Sequence, residues 1–138
     1  MKLAVGRIVF AVVVAEIVGV ATLVALVAAF GPAGAAAQHY AEELGAWIGP
    51  ISGLVLCFAG GWWAARGSAV PVANGLALGV SAAVLDLGLA MALSAKLGPI
   101  LLVSNAGRIV AGTLGGWKAA TSRGGDSSAA APTPTPRT

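Results

Sequence analysis

The chain has 138 residues, 58% of them hydrophobic and only 9% charged, against about 25% charged in an average soluble domain. Eight Lys+Arg against five Asp+Glu give a formal +3, but the basic residues sit at the ends of apolar blocks rather than in a patch suited to nucleic acid. Soluble classes are thereby excluded, and an all-α polytopic membrane protein is expected.

Four apolar blocks follow one another, each near the ~20 residues that cross a bilayer. Span one is expected over residues 3–30. Its apolar run Ile8 to Phe30 is 23 residues long, beyond the ~7–15 of a secretory h-region, and it carries Glu16. An uncleaved first span is therefore expected, stopped by Gly31-Pro32. The stretch from Pro32 to Gly45 holds His39, Tyr40, Glu42 and Glu43 and reads as a polar loop. Spans two, three and four are expected over 46–65, 69–95 and 98–120. Pro50, Pro71 and Pro99 then fall in or near first helical turns, where a missing N–H is tolerated. Residues 1–120 thus form a four-helix transmembrane domain. From Thr121 hydrophobicity collapses into a Pro/Thr/Ser tail with too few apolar groups to offset the entropy of ordering, so residues 121–138 are expected to be disordered.

Four spans put Lys2, Arg7, Arg66, Lys118, Arg123 and Arg137 on one side, Lys96 on the other and Arg108 inside. This asymmetry predicts an inner-membrane protein with both termini cytoplasmic. Trp47 marks the outer boundary and Trp62, Trp63 and Trp117 the inner one, where aromatic rings prefer the headgroup level. A short internal repeat, GGWWAA at Gly60 to Ala65 and GGWKAA at Gly115 to Ala120, suggests two parallel helical hairpins related by an axis along the membrane normal. A shared interfacial role for Gly and Trp explains the same pattern.

Lipid tails are as apolar as leucine, so helices in a bilayer associate by close backbone packing and polar contacts. The pairs Gly49/Gly53, Gly75/Gly79 and Gly112/Gly116 each place two glycines on one helix face and are expected to mark helix contacts. On span three that face continues through Ala83, Asp86 and Ala90; on span four it includes Asn105, Arg108 and Gly112.

Glu16, Asp86 and Arg108 are the informative residues, because an ionisable group at mid-bilayer costs about 2.5–3.5 kcal/mol on insertion scales and is usually paired or functional. At ~1.5 Å per residue and a ~30 Å core, Glu16 lies roughly 12 Å above the cytoplasmic edge, Arg108 roughly 15 Å, Asn105 roughly 20 Å and Asp86 roughly 24 Å. Arg108 is therefore expected to reach Glu16 directly, with Asn105 or water connecting it to Asp86. One positive and two negative charges cannot all be neutralised by pairing, so either one carboxyl is protonated or a cation joins the site. Two readings stand side by side: a structural ion pair that fixes helix order, and a proton- or cation-coupled site.

Other chemistry finds no footing. Cys57 has no partner and reads as a small buried hydrophobe; Asn74 reads as a polar boundary residue. His39 with Glu42 and Glu43 has helical spacing for a metal pair, but a lone histidine in a loop reads as solvated. No phosphate loop, zinc-binding helix, Cys pair or nucleophile elbow is present. No catalytic residue, metal or cofactor is assigned, and enzymatic activity is not expected.

The segment AEIVG, Ala15 to Gly19, resembles the first span of small multidrug-resistance transporters, in which a membrane glutamate binds a cationic drug or protons; Glu16 stands at that position. Asp86 and Arg108 depart from that family's pattern. Over spans two to four the layout is more similar to uncharacterised bacterial four-helix membrane proteins, with GG-x-x-A-x-R at Gly60 to Arg66 and NG-x-x-x-G at Asn74 to Gly79, a resemblance that implies no activity. The expected function is a membrane scaffold or accessory subunit with a structural charge cluster. The alternative is a small proton- or cation-coupled transporter using Glu16 and Asp86 with Arg108. In either case the expected partners are the bilayer and a second copy or another membrane protein, and not nucleic acid.

Overall fold

The computed structural model describes residues 2–92 and 98–124. Four helices occupy nearly all of them: α1 (Val5–Phe30), α2 (Ala36–Ala65), α3 (Pro71–Ala92) and α4 (Pro99–Gly124). No strand occurs among the described residues.

A predominantly Val/Ala/Leu sequence carries α1 to Gly31, whose N–H donates to the Val27 carbonyl at 2.8 Å, and Pro32 prevents continuation. The chain reverses at Gly34, whose φ of +72° suits a residue without Cβ. α2 then starts at Ala36, ten residues before the expected span. The segment read as a polar loop is helical because Ala36 and Ala37 are strong helix formers and because its polar residues pair one turn apart. Gln38 donates to Glu42 at 3.3 Å and His39 lies 3.3 Å from Glu43, the spacing that supports a solvated helix face. Pro50 consequently lies inside α2 rather than in its first turn. α2 ends before Gly67, at φ +79°.

α3 and α4 both start on proline, as expected, since the ring presets φ and the absent N–H is one the first turn leaves free. α4 runs to Gly124, past the expected boundary at 120. Thr121 and Ser122 donate to the Lys118 carbonyl at 3.0 and 2.9 Å. Residues 125–138 of the expected tail, the end of span three and Lys96 lie outside the described residues.

α1, α2 and α3 are long and apolar enough to cross a membrane; α4 is not. Four equally apolar spans are thus not what the chain contains. Ser104, Asn105, Arg108 and Thr113, together with the glycines, dilute the apolar content of α4, and the structure turns Ser104 and Arg108 inward, where they are 7% and 6% exposed. Outward surfaces remain apolar, with Val9, Phe10, Ile17 and Val24 on α1 and Leu102 and Val103 on α4 all exposed.

The helices alternate in direction. α2 and α3 touch each other and both outer helices, leaving α1 and α4 on opposite sides of the bundle. At the end where α1 begins, α3 and α4 meet backbone to backbone through Gly75, Gly79, Gly112 and Gly116. A Cβ on Gly112 would lie 2.6 Å from the Gly75 carbonyl oxygen, one on Gly79 2.7 Å from the Arg108 oxygen, and one on Gly116 2.5 Å from the Pro71 oxygen. α2 joins the seam through Gly61, where a Cβ would lie 2.5 Å from the Gly112 oxygen. α1 is seated differently, on a stripe of Ile8, Ala11, Val12 and Ala15 buried against a small-residue core around Leu78 and Ala82.

Candidate functional site: a buried charge cluster

Arg108 projects from the middle of α4 between α2 and α3 and reaches α1 on the far side. Its passage depends on Gly53 of α2, where a Cβ would lie 2.7 Å from the arginine Nε. Arg108 Nη1 donates to Glu16 Oε1 at 2.5 Å, and Nη2 lies 3.3 Å from Asp86 Oδ1. Asn105, one turn away on the same face of α4, donates through Nδ2 to Asp86 Oδ2 and to the Leu101 carbonyl, both at 3.0 Å. All four helices therefore contribute to one site: a carboxylate each from α1 and α3, the guanidinium and amide from α4, and a notch from α2.

The charges differ in exposure. The Arg108 side chain is 7% exposed, whereas Glu16 and Asp86 are 18% and 21% exposed because both border a cleft of about 130 Å³ between α1 and α2. Gly19, Leu23, Gly49 and Ser52 line its walls. Two buried polar atoms have no hydrogen-bond partner among the described residues, Asn105 Oδ1 and Arg108 Nε. Buried polar groups are ordinarily paired, and these two are the cluster's unmet hydrogen-bonding atoms, Nε being packed against Gly53. An arginine with two carboxylates in an apolar surround orders helices strongly, since separating the charges would leave them buried without compensation.

The structure brings Glu16, Asp86, Asn105 and Arg108 together. Sequence depth alone allowed Asp86 only an indirect link, whereas the ion-pair distance to Arg108 is direct. The glycines divide by role. Gly75/Gly79 and Gly112/Gly116 face each other across the α3–α4 seam. Gly49/Gly53 does not mark a contact with a neighbouring helix backbone: Gly53 receives the guanidinium, and a Cβ on Gly49 would meet nothing within 4 Å. Cys57 is 1% exposed and also borders the cleft. His39 pairs with Glu43 on an exposed face, and no metal-holding group of residues occurs among the described residues.

Two structural ties escaped the sequence reading. Asn74, read as a boundary residue, is fully buried. Its Oδ1 accepts the Ala4 N–H at 2.9 Å and its Nδ2 donates to Ser68 Oγ at 2.5 Å, so α3 supplies a cap for the first turn of α1. Arg7, read only as an orientation signal, donates to the Trp63 and Arg66 carbonyls at 2.5 and 2.6 Å and lies 4.6 Å from the centre of the Trp63 ring. It donates to two carbonyls at the end of α2, of which that of Trp63 also accepts the Arg66 N–H at 3.3 Å, and a cation is favoured there by the helix dipole. An asparagine in an apolar helix start and an arginine in the first turn of another were the available signals, but neither names its partner. No family model, curated protein or solved structure matches the chain.

Proposed function

We propose that this is a small integral membrane protein of four spans with both termini on the cytoplasmic side, acting as a membrane scaffold or accessory subunit whose charge cluster sets the order of its helices. The observation that carries the reading is Arg108, buried at 6% exposure and bridging α4 to Glu16 on α1 and Asp86 on α3. An isolated α4 would insert poorly, because Arg108 and Asn105 are costly in lipid; docking against the partners on α1 and α3 removes that cost.

A second reading, a small proton- or cation-coupled transporter, draws support from the cleft that both carboxylates border.

Arg108→Leu tests the reading. A helix-ordering role predicts loss of folded, membrane-inserted protein, with recovery when Glu16→Gln and Asp86→Asn accompany it. Folded single-variant protein with unchanged thermal stability would refute it. Reporters placed after Gly34 and after Gly124 check the orientation, with only the second expected on the cytoplasmic side.

A further inference from the structure

At the end of the bundle where α1 begins, positive charge collects without acids to balance it. Lys2 and Arg7 at the start of α1, Arg66 at the end of α2 and Lys118 near the end of α4 all stand there. Of the five acids, Glu16 and Asp86 belong to the charge cluster, Glu42 and Glu43 lie near the start of α2 at the opposite end, and Asp126 is outside the described residues. Every ion pair among the described residues involves Arg108 or His39, so none of these four cations meets a carboxylate there. We propose that Arg7, Arg66, Trp62 and Trp63 form a binding site for the headgroup phosphate of an anionic phospholipid, whose acyl chains lie along the exposed face of α1. The inference goes beyond helix ordering and rests on the reading that the bundle is embedded in lipid.

Two arginine–tryptophan pairs stand on consecutive residues of α2. Arg7 lies 4.6 Å from the centre of the Trp63 ring and Arg66 lies 3.7 Å from that of Trp62. The two guanidinium groups differ in the donors they have left. Arg7 is engaged by carbonyls, with Nη1 on Arg66 and Nη2 on Trp63, so it supplies charge at a fixed position. Arg66 is exposed, and the Trp62 ring is the described partner of its guanidinium. Stacking covers a face of that group, whereas its N–H donors lie in its plane and extend past the ring, a fork that can meet two phosphate oxygens at once. Because Arg7 rests on the carbonyl of Arg66 itself, an anion held by Arg66 is also attracted by Arg7. The surface beside the pair favours a lipid over a soluble anion. The Phe10 ring lies 5.8 Å from that of Trp63, and the same face of α1 continues through Val13, Val14 and Ile17, all exposed. An apolar strip running from the arginines toward the middle of the bundle suits a ligand with phosphate at one end and acyl chains at the other. Basic residues at the membrane surface attract anionic headgroups, and cations without acids beside them select a net negative headgroup over a zwitterionic one.

The test uses the full chain carrying Trp47→Phe and Trp117→Phe, which removes two exposed indoles and leaves Trp62 and Trp63 as reporters. It is placed in vesicles of equal parts phosphatidylglycerol and phosphatidylcholine, and tryptophan quenching is compared when one lipid or the other carries brominated acyl chains. The expected result is stronger quenching by the brominated phosphatidylglycerol, a preference of roughly fivefold for each charge that engages the headgroup. Arg66→Gln should bring the two lipids close to parity, whereas Lys118→Gln, at the same end of the bundle but on α4, should leave the preference standing. The proposal is overturned if the reporter protein shows no preference, if Arg66→Gln keeps it, or if Lys118→Gln lowers it equally, which would make the attraction a diffuse field. Loss of the preference when inorganic phosphate replaces chloride at matched ionic strength would assign the site to a soluble anion and overturn the lipid reading. Circular dichroism checks each variant's fold; should Arg66→Gln fail to fold, Arg66→Lys, which keeps the charge without the fork, takes its place and should lower the preference. An alkaline wash tests the membrane reading separately: release from the vesicles would sink that reading and the lipid site with it, whereas retained protein without a preference sinks the site alone.

Discussion

α4 and α1 lie on opposite sides of the same pair of helices and are held there by different physics. α4 is pressed onto α3 and α2 through Gly75, Gly79, Gly112, Gly116 and Gly61, with carbonyl oxygens where a side chain would otherwise stand. α1 has no such seam. A Cβ on Gly6 would meet nothing within 4 Å, and one on Gly19 only the Ser52 hydroxyl at 3.5 Å. Three polar ties supplement its short Ile/Ala/Val stripe: Glu16 to Arg108, Ala4 to Asn74, and Arg7 to the end of α2. Dispersion across a glycine seam depends on shape over many atoms, while a polar tie depends on one partner. The two helices should therefore fail in different ways.

The largest effect is expected at the seam. Gly75→Leu places a branched side chain into the α4 backbone around Gly112 and Gly116, where no rotamer relieves the overlap. Overpacking of this kind costs about 3 kcal/mol or more, and denaturant or thermal unfolding should show the folded bundle lost. A stable, well-folded Gly75→Leu protein would mean that α3 and α4 do not meet as closely as described.

Next comes the central tie. Arg108→Leu leaves two carboxylates without their cation, a change worth roughly 3–5 kcal/mol for a buried pair. Hydrogen exchange should rise first in α1, with α3 and α4 better protected in whatever protein stays folded. Equal loss of protection in all four helices would erase the distinction between seam and tie.

A smaller, more local change is expected from Asn74→Ala, which strands the Ala4 N–H and withdraws a donor from Ser68. Unsatisfied buried groups cost about 1–3 kcal/mol, and the increase in exchange should be confined to the start of α1. Spread of the effect into α4 would count against a tie acting on α1 alone.

The smallest effect separates two glycines four residues apart. Gly49→Ala fills open space and gains up to about 1 kcal/mol of helix propensity. Gly53→Ala sets a methyl against the Arg108 guanidinium, so its melting temperature should fall relative to Gly49→Ala. Matching temperatures would show that the notch at Gly53 is not needed.

Much of the helical layout was legible because it follows from local rules. Apolar runs of bilayer length, Pro71 and Pro99 at helix starts, and Gly31-Pro32 at a helix stop all act within a few residues. Where the reading went astray, a local rule met a competing one: the polar segment 36–45 looked like a loop because its charges suggest water, yet one-turn pairing makes a solvated helix of it. The charge cluster was legible in membership, since Glu16, Asp86 and Arg108 are conspicuous against an apolar background. Its wiring was not, because depth along an axis says nothing about which way a side chain crosses the bundle.

Composition and pattern by themselves determined an all-α chain, apolar runs of bilayer length, and a group of two acidic residues and one arginine within those runs. Those properties are sums over residues and survive any arrangement of the helices. Only the tertiary structure decided that α1 and α4 face each other across α2 and α3, that Gly53 receives the Arg108 guanidinium, and that Glu16 takes the closer bond from Arg108 while Asp86 divides its two oxygens between Arg108 and Asn105. Each of these depends on contacts between residues tens of positions apart, and such contacts are set by how four surfaces fit together rather than by any stretch of one of them.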